Sequence, residues 1–213
     1  MTLTVGVDAC RGKWLAVALQ DGVFAGARFG STVSVLAAFW PDATAIGVDI
    51  PIGLPDAPGR EADRAAREFV GERRSSVFPT FPRAILEAPT YEEAKAACIA
   101  RGWPRPSLQS YGMRHRILEV DAAAAADERI VEVHPEVSFR ELAGRDLPPK
   151  RNAEGAVARR AALRGVGIEV PDDLPYPVED VLDATVAAWS AARYAAGAAR
   201  TLGKAGRTGA IWY

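Results

Sequence analysis

Apolar residues near the start of the chain follow the spacings that are typical of strands. The segments 3–8, 13–20 and 23–29 are apolar and β-prone, and Asp21-Gly22 between the last two is a typical hairpin turn. These segments predict three consecutive antiparallel strands at the start of the fold.

A helix is predicted over 32–39, with Ser31 as its N-cap. Three of its apolar residues are expected to face inward: Val35, Leu36 and Phe39. The next strand, 45–49, follows this helix. Because a helix connects it to the meander, we expect it to run parallel to a neighbour, for which the first strand is suitable.

The second half of the chain predicts mainly helices and one further strand. A helical insertion is expected at about 59–127, in which one helix is predicted over 107–121, before a fifth strand over 129–134. Two later helices are predicted over 152–164 and 178–196. We therefore expect a single α/β domain, 1–213, with a mixed five-stranded sheet of three antiparallel and then parallel strands, flanked by helices.

The first and fourth strands end in the same three residues, Gly-Val-Asp. Because side chains alternate along a strand, Gly6 and Asp8 share one face, and Gly47 and Asp49 do the same. If the two strands are adjacent and parallel, both carboxylates emerge at one edge of the sheet. Open α/β sheets place their functional groups at that edge.

Further acids follow the fifth strand and begin the last helix. Glu136 follows Pro135, and Asp180 and Asp183 are three residues apart on one helical face. Magnesium prefers such carboxylates together with water and substrate phosphate. We expect Mg²⁺ or Mn²⁺ to be bound by Asp8, Asp49, Asp180 and Asp183. The predicted catalytic residues are Asp8, Asp49, Glu136 and Asp183, since two such ions support phosphodiester hydrolysis.

The segment 71–83 combines arginine, serine and proline with three apolar residues. One interpretation is a rigid loop that presents hydrogen-bond donors to a phosphate. The other is an ordered connector whose apolar residues fill the core. The candidate substrate contacts are Arg73, Arg74, Ser75, Ser76 and, after the fifth strand, His134.

Composition restricts these possibilities only a little. The formal net charge of −1 gives no overall positive field, although the segments 101–118 and 184–213 are basic. Cys10 and Cys98 are too few for a disulfide framework or zinc cluster. No segment is typical of a signal peptide or membrane span, so a cytoplasmic protein with no membrane partner is expected. The oligomeric state is not indicated.

This order of elements and acids resembles the ribonuclease H-like fold, and the helical acid pair is similar to that of its Holliday-junction-resolvase branch. More specifically, the chain resembles a bacterial and archaeal family of predicted ribonuclease H-fold nucleases, described as a domain of unknown function. The resemblance covers nearly the whole chain and implies metal-dependent cleavage of nucleic acid. Six segments carry it: Val5–Asp8, Ile46–Leu54, Arg74–Pro79, Gln109–Asp121, Glu132–Phe139 and Asp180–Trp189.

Two other functions are compatible with the same pattern. Sugar kinases and actin-like ATPases also begin with a ribonuclease H-like lobe, but they need a second lobe and a second glycine-rich phosphate loop, which this sequence does not indicate. A non-catalytic binding module is the other alternative, because a fold alone does not fix a function. Binding of ATP with magnesium would favour the first, and failure to bind magnesium or manganese would favour the second.

Overall fold

The structure is a computed structural model that describes residues 1–204 and 206–213. Its strands are β1 Leu3–Cys10, β2 Lys13–Gln20, β3 Val23–Gly30, β4 Ala45–Val48, β5 Ile130–Glu132, β6 Thr201–Gly203 and β7 Ala210–Trp212. Its helices are α1 Val33–Phe39, α2 Glu61–Phe69, α3 Arg83–Leu86, α4 Tyr91–Ala100, α5 Leu108–Gly112, α6 Arg114–Ala126, α7 Pro135–Ala143, α8 Ala153–Gly165 and α9 Val178–Ala195. A 3₁₀ helix spans Gly71–Ser76.

Five strands form a mixed sheet in the order β3-β2-β1-β4-β5. The first three are antiparallel, while β4 is parallel to β1 and β5 is parallel to β4. This confirms the predicted α/β architecture, which is consistent with the ribonuclease H-like fold. The strands β6 and β7 form a separate antiparallel pair.

The two faces of the sheet pack against different helices. On one face, alternate residues of β2 such as Leu15 and Val17 pack with apolar residues of α9. On the other, residues such as Val7 and Val48 pack with α1 and with the helices between β4 and β5. Helices α2 to α6 and the 3₁₀ helix all lie in that connection, and part of it, including Ser76–Thr80 and Met113, lies beside Asp49 at the end of β4. None of the described helices combines the length and apolar character needed to cross a bilayer.

The orientation predicted for α1 was wrong in part. Thr32 rather than Ser31 caps the helix, since its side chain accepts a hydrogen bond from the Val35 backbone N–H. Val35 and Phe39 are each 54% exposed, whereas Leu36 is buried. Val33 and Ala37 complete the buried face instead, because residues three and four apart share one side of a helix.

Two other element boundaries differ from the prediction. The helix expected over 107–121 is divided at Met113 into α5 and α6, and the fifth strand is shorter than 129–134. Both differences leave the order of the elements unchanged, so the placement of the strand-end acids is unaffected.

Candidate functional site

Close contact between α9 and the sheet determines the geometry of the site. A Cβ atom added to Gly6 would overlap the carbonyl oxygen of Ala184, and one added to Gly47 would lie 2.6 Å from the Ala187 oxygen. The helix backbone therefore lies directly on β1 and β4 at these glycines. Asp183, one residue before Ala184, is consequently held at the sheet edge.

Asp8 and Asp49 emerge from neighbouring parallel strands, as predicted. Val7 is paired with Val48, and the Asp49 backbone N–H donates to the Val7 carbonyl at 3.0 Å. Asp8 is 6% exposed and Asp183 only 2%, while Asp49 is partly buried. Three carboxylates from three separate elements thus lie at one edge of the sheet.

Burial and mutual repulsion make these carboxyl groups hard to ionise. Burial raises the pKa of Asp8 well above its usual value, and the charges of Asp49 and Asp183 raise it further. Burial also raises the pKa of Asp49, and the charge of Glu136 adds to this effect. Burial, Asp49 and Glu136 together raise the pKa of Asp183 to about 6. We call Asp8, Asp49, Glu136 and Asp183 the acidic cluster.

Lys150 brings a positive charge into the acidic cluster. Its Nζ donates a hydrogen bond to Asp183 Oδ2 at 2.5 Å, and its side chain is 40% exposed. Burial lowers the pKa of Lys150, but the charges of Asp183, Asp49 and Asp8 outweigh this effect and leave the pKa raised. The lysine therefore reaches the acids from the solvent side and offsets part of their repulsion.

Glu136 is positioned by a buried arginine. Arg159, which is 1% exposed, donates through Nη2 to Glu136 Oε1 at 2.7 Å and through Nη1 to the Pro148 carbonyl at 2.8 Å. Pro135 begins α7, so Glu136 lies in its first turn, where a negative charge is favourable. These contacts fix the carboxylate at the border of the cluster.

His134 precedes this helix and lies near Asp49, whose pKa its charge lowers. Its Nε2 is 3.4 Å from the Ser76 carbonyl oxygen. Among the described residues, no hydrogen-bond partner lies near its buried Nδ1. Within the described part of the chain, Nδ1 is therefore a buried polar atom that no hydrogen bond satisfies.

Asp180 lies in a different environment from Asp183. Burial and a hydrogen bond with Asp180 raise the pKa of the Cys10 thiol to about 12. Cys10 is 1% exposed and ends β1. The structure thus places Asp180 beside this cysteine, and its role as a metal ligand stays a prediction.

The predicted phosphate-binding residues lie on the 3₁₀ helix. Arg73 donates to the Leu147 carbonyl at 2.9 Å, and the Ser76 hydroxyl donates to the Arg73 carbonyl at 2.8 Å. Arg74 and Ser75 are exposed. Two of the four side chains therefore support the local fold, while the other two extend into solvent.

Sequence reasoning missed Lys150 and Arg159 as members of this site. Lys150 lies in the loop between α7 and α8, 33 residues from Asp183. Arg159 lies in α8 and resembles the other arginines of that basic helix. The only local signal is Pro148-Pro149, which restricts the backbone just before Lys150.

The donors of the acidic cluster are carboxylate oxygens, which suit a hard divalent cation such as magnesium or manganese. Among residues 1–204 and 206–213, however, no three His, Cys, Asp or Glu side chains are close enough to hold one ion together. Lys150 supplies the positive charge in this arrangement. The donors thus fit such an ion by their chemistry, and they would have to move closer to share one.

A family model described as a protein of unknown function (DUF429) matches residues 6–206. The chain belongs to the DUF429 family. Membership confirms the expected resemblance to a family of unknown function, and the DUF429 match includes every residue of the acidic cluster. Comparison with curated proteins and with solved structures gives no match.

Proposed function

We propose that this DUF429 protein is a metal-dependent nuclease of the ribonuclease H-like superfamily, which hydrolyses phosphodiester bonds of nucleic acid with Mg²⁺ or Mn²⁺. The observation that carries the proposal is the convergence of Asp8, Asp49 and Asp183, with the pKa of each raised by burial and neighbouring charges. Strongly perturbed carboxylates at a sheet edge are typical of functional sites. A divalent cation would relieve their repulsion.

Each member of the site has a role in this proposal. Asp8, Asp49 and Asp183 would hold the cation, which when bound lowers the pKa of the attacking water and stabilises the leaving oxygen. Arg159 keeps Glu136 oriented towards the other acids. His134 lies beside Asp49, and an imidazole in this position is suited to proton transfer.

A non-catalytic binding module is the competing proposal, and one observation favours it. Lys150 already forms an ion pair with Asp183, and in the described part of the chain no three potential ligands are gathered around one point. A module of this kind would keep the ion pair and would gain no thermal stability from magnesium or manganese. The nuclease should gain stability, because a cation that binds only the folded state stabilises it.

Cleavage of labelled nucleic acids tests the proposal directly. Single-stranded and duplex DNA, RNA, RNA–DNA hybrids and four-way junctions would be incubated with Mg²⁺ or Mn²⁺, and in parallel with a chelator. We expect cleavage only with the metal, and we expect Asp8→Asn or Asp49→Asn to reduce the rate by about a hundredfold or more, because several kcal/mol of transition-state stabilisation is lost.

The matched control is Asp42→Asn, which changes an exposed aspartate that follows α1. This variant should cleave at the wild-type rate. Circular dichroism should show that all three variants keep the fold. Cleavage at the wild-type rate by both Asp8→Asn and Asp49→Asn would refute the assignment of the site.

A further inference from the structure

A cavity of about 120 Å³ adjoins the acidic cluster. Asp49 and His134 line it, and so do Phe78, Met113 and Ile117 from the connection between β4 and β5. The cavity therefore lies at the carboxyl ends of the parallel strands, where open α/β sheets bind their ligands. A ligand group in this cavity would therefore lie next to any group that Asp49 binds.

Three of the charged residues that line the cavity, Arg60, Asp63 and Glu132, are already paired with one another. Arg60 donates to Glu132 Oε1 at 2.5 Å and to Asp63 Oδ1 at 2.8 Å. Asp63 also accepts from the Thr80 backbone N–H at 2.6 Å, and Glu132 accepts from the Ile52 backbone N–H at 2.7 Å. Two carboxylates thus share one guanidinium, so this part of the cavity offers no unpaired cation to a phosphate.

The remaining lining is largely apolar and includes an exposed aromatic ring. Phe78 is 39% exposed although it follows the buried Val77. Ile117, Val133 and Ile211 are buried and also line the cavity. An uncharged, flat ring suits these surroundings, because apolar walls and an aromatic side chain favour burial and stacking of such a group.

We propose that this cavity binds a single nucleobase of the nucleic acid whose phosphodiester lies at the acidic cluster. The assignment rests on the proposed function for its ligand class. Of the three parts of a nucleotide, the phosphate gains nothing from Arg60, because this guanidinium is already paired with two carboxylates, and the sugar has no planar face. The base alone is neutral and flat, and it can stack on Phe78 when it leaves its neighbours in the strand.

Binding of the fluorescent nucleoside 2-aminopurine deoxyriboside tests this site. The titration uses the full chain with a chelator present, so neither a metal nor cleavage is involved. We expect saturable binding with a change in fluorescence, and we expect Phe78→Ala to weaken it about tenfold through the loss of stacking. Phe39→Ala is the matched control, because Phe39 is also exposed but does not line the cavity. It should bind as wild type.

A second variant blocks the cavity from another side. Ile117→Phe adds volume to the lining and should abolish binding, while circular dichroism and thermal unfolding report whether the variant folds. Absence of saturable binding to the wild type, or equal affinity of wild type and Phe78→Ala, would overturn the proposal. Equal affinity for indole would overturn the choice of a nucleobase, because the cavity would then accept any aromatic ring.

These outcomes separate the cavity from the nuclease activity. Nucleoside binding that depends on Phe78, in a protein that cleaves none of the nucleic acids, would support the cavity assignment and refute the proposed reaction. Cleavage that depends on Asp49, without any nucleoside binding, would overturn the cavity assignment alone.

Discussion

Replacing Asp183 by asparagine should make the metal-free protein more stable at neutral pH. Burial and the neighbouring acids raise the pKa of Asp183 from 3.8 to about 6 in the folded chain. A shift of about 2 pKa units corresponds to about 3 kcal/mol, since one unit is about 1.4 kcal/mol. Asparagine has nearly the same shape but carries no charge, so it removes this penalty.

The sign of the effect follows from where each state releases its proton. Below pH 3.8 the carboxyl group is protonated in both the folded and the unfolded chain, and it contributes no difference. Between that pH and about 6, the unfolded chain releases the proton while the folded chain retains it, so the free energy of unfolding falls as the pH rises. Above this window the loss is complete and constant.

Urea unfolding in the presence of a chelator, measured from pH 4 to pH 7.5, tests this reasoning. Asp183→Asn and wild type should have similar stability at pH 4, and the variant should be more stable by about 3 kcal/mol at pH 7. Asp42→Asn is the control and should match wild type throughout. If the proposed function holds, saturating magnesium should narrow the gap at pH 7, because it would bind the wild type more tightly than the variant, which has lost one ligand.

The opposite result would have a clear meaning. If Asp183→Asn were less stable than wild type at pH 7, the ion pair with Lys150 would outweigh burial, and the folded-state pKa of Asp183 would lie below 3.8. A difference that stayed constant with pH would show that Asp183 has the same pKa in both states. Either result would refute the electrostatic account of the site.

Two further predictions concern Lys150, the partner of this aspartate, and Gly6, where α9 contacts the sheet. Lys150→Met should lower the stability of the metal-free protein, because the acids lose the charge that offsets their repulsion. The same change should raise the affinity for magnesium about tenfold or more in calorimetric titration, because a competing positive charge is lost. Lys95→Met, on α4, should change neither the stability nor the affinity. Gly6→Ala should destabilise the protein by about 1–3 kcal/mol or more in urea unfolding, because the new methyl group overlaps Ala184. The control Gly165→Ala, where no atom lies within 4 Å, should leave stability nearly unchanged, and equal effects of the two alanines would contradict the close packing of α9.

The sheet and the strand-end acids could be predicted because their signals are local. Two buried strands with the same Gly-Val-Asp ending leave few ways to arrange the chain once a helix connects them, and the pairing of Gly6 with Gly47 agrees with this expectation. The error in α1 has an equally local cause. The N-cap is Thr32 instead of Ser31, and the buried face of the helix consists of Val33, Leu36 and Ala37.

Lys150, Arg159 and the cavity could not be predicted, because their environments depend on tertiary packing. A lysine in a loop and an arginine in a basic helix have ordinary surroundings in the sequence. Only the folding of α8 against α7 and α9 brings them to the acids. The residues lining the cavity likewise come from separate elements, and no spacing in the sequence relates Phe78 to Ile117 or His134.

The close contact of α9 with the sheet has opposite effects on the fold and on the acids. Because Gly6 and Gly47 have no side chain, the helix backbone can pack directly on the sheet. The same packing removes Asp8 and Asp183 from water. Buried charges are unfavourable unless they are paired, so neutral side chains at these two positions would give a more stable scaffold. Lys150 offsets only part of the penalty, since the pKa of Asp183 remains raised despite the ion pair. The buried acids therefore lower the stability of the fold, which agrees with the cation-binding role proposed above.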